Sequence, residues 1–220
     1  MTTLMTYAGP GEADALVTRT GGVPLAPAGT AWPSCAECDG PMQFLTQILL
    51  DGQGRPITQD GTSADRVMAI FMCQNDPGMC EEWSPTAGGN QALLFTSDGL
   101  QPLPAPELEP GEDEDVLHLG AVNAVALAPF PSADYGSARE EWAGLGDNDL
   151  SNVLGQLGGE PDWLQHPETP TCPACTHPMD FVAQFEEGPD HTTAMNFGGC
   201  GSAYAFSCAP CVRAAFLWQC

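Results

Sequence analysis

The sequence predicts a mainly β (α+β) fold, internally duplicated, in which two β units related by an approximate two-fold axis pack as one domain. Three observations predict it: a block of residues that recurs at one offset, eight cysteines gathered in two clusters, and short apolar runs that lead into those cysteines.

The repeat comes first, because it sets the organisation. Shifted by 137 residues, Gly21, Gly22 and Pro24 fall on Gly158, Gly159 and Pro161, and Cys35 and Cys38 fall on Cys172 and Cys175. At the same offset Pro41, Met42, Phe44 and Gln47 fall on Pro178, Met179, Phe181 and Gln184. One ungapped offset for so many uncommon residues marks an internal duplication. Further on, Phe71 and Cys73 match Phe206 and Cys208 at a shift of 135. The division expected is a first repeat over 1–100, an acidic loop and short helical insert over 101–157, and a second repeat over 158–220.

Local patterning makes each unit β. The runs Met42–Ile48, Val67–Cys73 and Gln91–Phe95 read as strands, as do their counterparts Met179–Phe185, Ala203–Cys208 and Ala214–Trp218. In the second copy Met179, Phe181, Ala183 and Phe185 are expected on one face, with Phe44 and Phe181 hidden between the units. Met42 and Met179 belong to the core. The Gly-Gly-x-Pro segments are turn signals, and neither opens a helix as a phosphate cradle would. Between the copies, Pro102 to Pro110 and the acidic run Glu112–Asp115 read as solvated loop, and Val116 to Leu119 can resume a strand. From Ser137 to Leu157 the spacing of Trp142, Leu145, Leu150, Val153, Leu154 and Leu157 predicts short helices interrupted by Gly144 and Gly146.

The cysteines carry the chemistry. Cys35, Cys38, Cys73 and Cys80 form one cluster, and Cys172, Cys175, Cys208 and Cys211 the other. A Cys-x-x-Cys loop lets two sulfurs face one metal, so each cluster is read as a four-thiolate zinc site, giving two structural zinc ions. Met1 to Glu12 has neither a basic segment nor a continuous apolar stretch, so it does not read as a secretory signal and a disulfide scaffold loses support. Four thiolates also suit iron, but no ferredoxin-type spacing accompanies them. A closed four-cysteine site keeps no position for an activated water, which argues for a folding role over catalysis.

Other candidates carry alternatives. Cys200 and Cys220 stand outside the clusters, either as small structural residues or, for Cys200, as a thiol nucleophile with His191 as its base. His177 could displace a cysteine as ligand. His118 and His166 carry no signal. Trp32, Trp83, Trp163 and Trp218, with Phe197 and Tyr204, could line a groove between the repeats; Trp32 and Trp163 could instead pack onto the cysteine loops.

Composition narrows the partners. The 220 residues hold 29 acidic side chains against 5 arginines and no lysine, a formal charge of −24. Such a surface repels nucleic acid and anionic membranes. It serves either solubility or attraction of a basic protein. No apolar run approaches the roughly 20 residues that span a bilayer, and a cytoplasmic protein is expected.

The same motifs resemble a known family. Gly-Gly-x-Pro, then Trp32-Pro33-Ser34-Cys35-x-x-Cys38 and Pro41-Met42-x-Phe44-Leu45-x-Gln47, is similar to the amino-terminal signature of the programmed cell death protein 2 family. Phe197-Gly198, Tyr204-x-Phe206-x-Cys208-x-x-Cys211 and Phe216-Leu217-x-Gln219 resemble its carboxy-terminal signature. A related bacterial family, the domain of unknown function number 1963, shares the likeness. The resemblance implies a chaperone for a basic small-subunit ribosomal protein. Many eukaryotic members carry an additional MYND-type zinc finger, for which there are no cysteines between Cys80 and Cys172. The expected function is a non-enzymatic zinc-stabilised protein-binding module, a chaperone or assembly factor for a basic ribosomal-type protein. The alternatives are a zinc-stabilised structural or regulatory domain without selectivity for basic clients, and a cysteine-dependent enzyme.

Overall fold

The computed structural model describes residues 1–59, 63–107, 119–132, 134–188 and 195–220. Its strands are β1 (Thr2–Pro10), β2 (Arg19–Thr20), β3 (Leu25–Ala26), β4 (Gln43–Leu50), β5 (Arg66–Met72), β6 (Asn90–Thr96), β7 (Gln101–Pro102) and β8 (Asn123–Phe130), then β9 (Val153–Leu157), β10 (Asp180–Glu186), β11 (Ser202–Cys208) and β12 (Arg213–Gln219). One helix, α1 (Tyr135–Ala143), lies between β8 and β9. Asp134 starts it by accepting the Ser137 N–H at 2.8 Å, and Gly144 ends it. The acidic run Glu112–Asp115 and Val116 to His118 lie outside the described residues, as does His191.

The duplication is written into the pairing. Ten strands form one sheet in the order β12-β11-β10-β9-β1-β8-β2-β4-β5-β6. Arg19 pairs with Gln47 and Thr20 with Thr46; at the 137-residue offset Gln156 pairs with Gln184 and Leu157 with Ala183. Between β4 and β5 the register slips past Leu45, and between β10 and β11 it slips past Val182, the equivalent position. Two β units with one topology therefore lie on either side of the central pair β1–β8. That pair is itself symmetrical: Met5–Leu127 and Tyr7–Val125 flank Thr6–Ala126, where the local two-fold passes.

The two long strands β1 and β8 carry no strong sequence signal, yet they join the halves. Each unit borrows across the chain, since β1 pairs with β9 of the second copy and β8 with β2 of the first. The region 101–157 accordingly supplies two strands of the ten-stranded sheet, β8 and β9, besides its helix and the short β7, which pairs with β3. Val153–Leu157 is one of these, where helical spacing predicted a helix. Its Val, Leu, Gly, Gln and Leu are all buried between β1 and β10, and that burial overrides the local periodicity.

The sheet curls until its end strands β6 and β12 lie against each other. Its inner face forms one core from both halves: Met5, Ile48, Met68 and Ile70 pack with Leu154, Phe185, Ala205 and Phe216. Phe44 and Phe181 are not in it, contrary to the strict alternation read from the sequence. The bulge inserts Leu45 and Val182 into the shared core and leaves the preceding phenylalanines on the outer face, each beneath a cysteine cluster. Met42 and Met179 are buried there with them.

Candidate metal centres

Each cysteine cluster is assembled by the same local devices. In the first, the Cys35 N–H donates to Gly40 O at 2.9 Å, the Asp39 N–H to Cys35 O at 3.0 Å, and the Met42 N–H to Pro33 O at 3.0 Å. In the second, the Cys172 N–H donates to His177 O, the Thr176 N–H to Cys172 O and the Met179 N–H to Pro170 O, all at 2.8–2.9 Å. Asp39 and Thr176, with φ of 58° and 62°, take the left-handed position that turns each Cys-x-x-Cys loop. The loop then feeds β4 or β10, and the third cysteine comes from the end of β5 or β11.

The fourth ligands differ. Cys211 ends a single 3-10 turn, Ala209–Cys211, directly after β11. Cys80 returns from a wider loop, fixed because the Cys73 N–H donates to Gly89 O at 2.8 Å and the Ala36 N–H to Gly88 O at 3.0 Å. A Cβ on Gly89 would stand 2.1 Å from the Cys80 carbonyl oxygen, so only glycine lets the loop close.

The structure brings together all eight predicted ligands. Within each set the four sulfurs lie within 4.8 Å of one another. Cys38 and Cys73 are 3.7 Å apart, as are Cys175 and Cys208. A tetrahedral ion with metal–sulfur bonds of about 2.3 Å sets its ligands about 3.8 Å apart, whereas a disulfide needs about 2.05 Å. Each group can therefore hold one metal ion, and the soft donor set suits zinc.

Electrostatics points the same way. Burial pushes the Cys73 thiol up to about 11, and neighbouring sulfurs push Cys211 up to about 12. Cys175 moves in the other direction, down to about 6, held there by the His177 backbone N–H and then by its imidazole. Four thiolates this close repel one another unless a cation lies between them. Sequence reasoning missed Asn75, whose amide donates to Cys38 Sγ at 3.4 Å and Cys73 Sγ at 3.3 Å and orients both ligands. A polar residue two positions after a ligand was the signal available. His177 stands beside its cluster as a neighbour of Cys175, with all four sulfurs of the second set already present.

The aromatics divide. Trp32 packs edge-on against Phe71, with centroids 5.4 Å apart, and its indole N–H donates to Met42 O at 2.8 Å. Trp163 lies against Tyr204 and Phe206. Both therefore cap the outer clusters. Phe197 and Tyr204 are fully buried and line no groove. Trp83 and Trp218 alone among the six meet across the halves, at a groove of about 600 Å³.

Cys200 is exposed, and its N–H donates to Glu187, whose carboxylate also accepts from Phe197 and Gly199. Cys220 is exposed at the groove. His166 pairs with Glu168 at 3.4 Å. No helix of the described residues is long and apolar enough to cross a membrane.

No family model matches the chain. Over 72 residues, 32% of its length, it is 36% identical to "Uncharacterized protein YpfL" of Salmonella typhimurium. The match spans 16% of that protein, whose name assigns no activity.

Proposed function

We propose that the protein is a non-enzymatic, zinc-stabilised protein-binding module that acts in the cytoplasm as a chaperone or assembly factor for a basic, ribosomal-type protein. One observation carries the reading: the acidic excess is not neutralised within the fold. Against a formal charge of −24, the described residues contain two arginine–carboxylate ion pairs, Arg55–Asp51 and Arg139–Glu186. A field of that size attracts a basic protein and steers its approach. The resemblance to the programmed cell death protein 2 family supports the same client. The metals have a structural part in this reading, because four protein thiolates complete a tetrahedron and tie each loop to its sheet.

Elemental analysis of gently purified protein tests the metal part, with an expected ratio near two zinc ions per chain. A folded, metal-free protein with four disulfides would refute it. Affinity capture from native cytosol tests the client. A stoichiometric basic protein should be retained at low salt and lost as salt screens the surface charge. Capture of no stoichiometric basic partner at low or moderate salt leaves the structural or regulatory reading in place.

A further inference from the structure

The groove at the junction of the halves has a chemistry of its own. Trp83, Ser84 and Pro85 come from the metal loop of the first copy, while Gln165 and Glu168 precede the second cysteine loop and Trp218 and Gln219 end β12. The site therefore exists only when the two copies pack together. Trp83 is 41% exposed, lines the groove and meets Trp218 at 89° and 6.3 Å between centroids, so part of its indole is open to the groove's occupant. The Trp218 indole N–H is buried with no hydrogen-bond partner.

Glu168 is the charged side chain of the lining. It is set in place rather than loose: Gln219 donates to one of its oxygens at 2.7 Å, and His166 lies 3.4 Å from the other. Gln219 is itself fixed by donating to His166 O and accepting the Gln165 N–H. An aromatic side chain, a flanking proline and a positioned carboxylate together make a receptor for a planar cation. A guanidinium can stack on tryptophan and pair with a carboxylate at once, which an ammonium does less well.

We propose that this groove is the docking site for an arginine-bearing segment of a basic protein partner. The proposal rests on the basic-partner reading and gives it an address. Charge complementarity selects the occupant, because the lining offers a carboxylate and no cation, within a chain that carries 29 acidic residues and 5 arginines.

The test titrates the full zinc-loaded chain with a short, acetylated and amidated peptide of alternating arginine and leucine, with lysine and glutamate counterparts as comparisons. Calorimetry and tryptophan fluorescence report binding. The arginine peptide should saturate and the lysine peptide should bind more weakly. Trp83→Ala and Glu168→Gln should each raise Kd about tenfold, and Trp83→Tyr should restore most of the affinity. Glu168→Gln lies outside both metal loops and guards against a folding artefact, and retention of two metals per chain checks each variant. Binding that neither variant weakens places the contact elsewhere and overturns the groove, while the basic-partner reading stands. Equal binding of the glutamate peptide overturns it too. If the arginine peptide fails to bind while a native basic protein is still captured, the groove falls alone; if capture also fails, both readings fall.

Discussion

Gln47 and Gln184 show why a duplication keeps a polar side chain in a buried place. Both are essentially inaccessible, and both satisfy the backbone of the segment that crosses the outer face. Gln47 Oε1 accepts the Leu25 N–H and Gln184 Oε1 accepts the Asp162 N–H, and Leu25 and Asp162 are themselves related by the 137-residue offset. The Gln47 amide also donates to Ala15 O and Val17 O. Gln47→Leu leaves those groups without partners and is expected to cost about 3 kcal/mol, read from urea unfolding. His177 offers a different check. It holds the Cys175 thiol at about 6, against an ordinary 9. Stability from that depressed value is complete above the ordinary pKa and is lost as pH falls through about 6. With His177→Ala the second centre should release its metal at a higher pH, and the first centre, coupled to it through the shared core, should follow. The shift should be less than the full drop, because the backbone N–H, the larger influence, survives the substitution. Metal release followed with a chromogenic chelator reads both centres in one titration.

The paired glycines after β2 and β9 look interchangeable in the sequence, and the structure separates them. Gly21 and Gly158 have φ of 67° and 63°, a conformation that costs alanine about 1 kcal/mol. A Cβ on Gly21 would stand 2.0 Å from Ala121 O, however, whereas the nearest atom to one on Gly158 is Pro56 Cγ at 3.5 Å. Gly158→Ala should thus cost about 1 kcal/mol and Gly21→Ala about 3 kcal/mol or more, a difference visible in thermal melts. Equal losses would show that the backbone before β8 yields freely. The same contrast marks what the residues alone disclose. Apolar runs beside cysteines expose β4, β5, β6 and their counterparts, since alternation and ligand spacing agree there. In β1 and β8 threonines and alanines interrupt the apolar pattern, so their place at the centre of the sheet, and with it the seam of the molecule, is not legible. The bulges at Leu45 and Val182 leave no trace either, because the inserted residue is as apolar as its neighbours; only the ladder shows that Phe44 and Phe181 turn outward. Eight ligands could be named from spacing because thiolate chemistry demands it, while Asn75 depends on a loop conformation that spacing does not encode.

The exchange of β1 and β8 makes the two copies one cooperative body. Neither copy is continuous in the chain, for the strand that completes each sheet half comes from outside its repeat. The shared core then draws side chains from both, and further ties cross the junction: Arg66 donates to Ala209 O at 2.9 Å, Ser207 to Gly54 O at 3.2 Å, and the Trp218 N–H to Trp83 O at 3.3 Å. Damage to one metal centre should consequently be felt at the other. Cys175→Ala removes one thiolate of the second set, and the three that remain leave the fourth corner to water, so the metal no longer ties the Cys-x-x-Cys loop at both cysteines. Loosening that knuckle exposes Phe206 and Tyr204 on the outer face, and β10 and β11, which carry Phe185 and Ala205 into the common core, lose their clamp. The variant should melt in a single transition at lower temperature, with far-ultraviolet circular dichroism and release of the first-site metal following one curve. If the first centre keeps its metal well beyond the point where the second half has unfolded, the halves are independent and the coupling argued from the shared core is wrong.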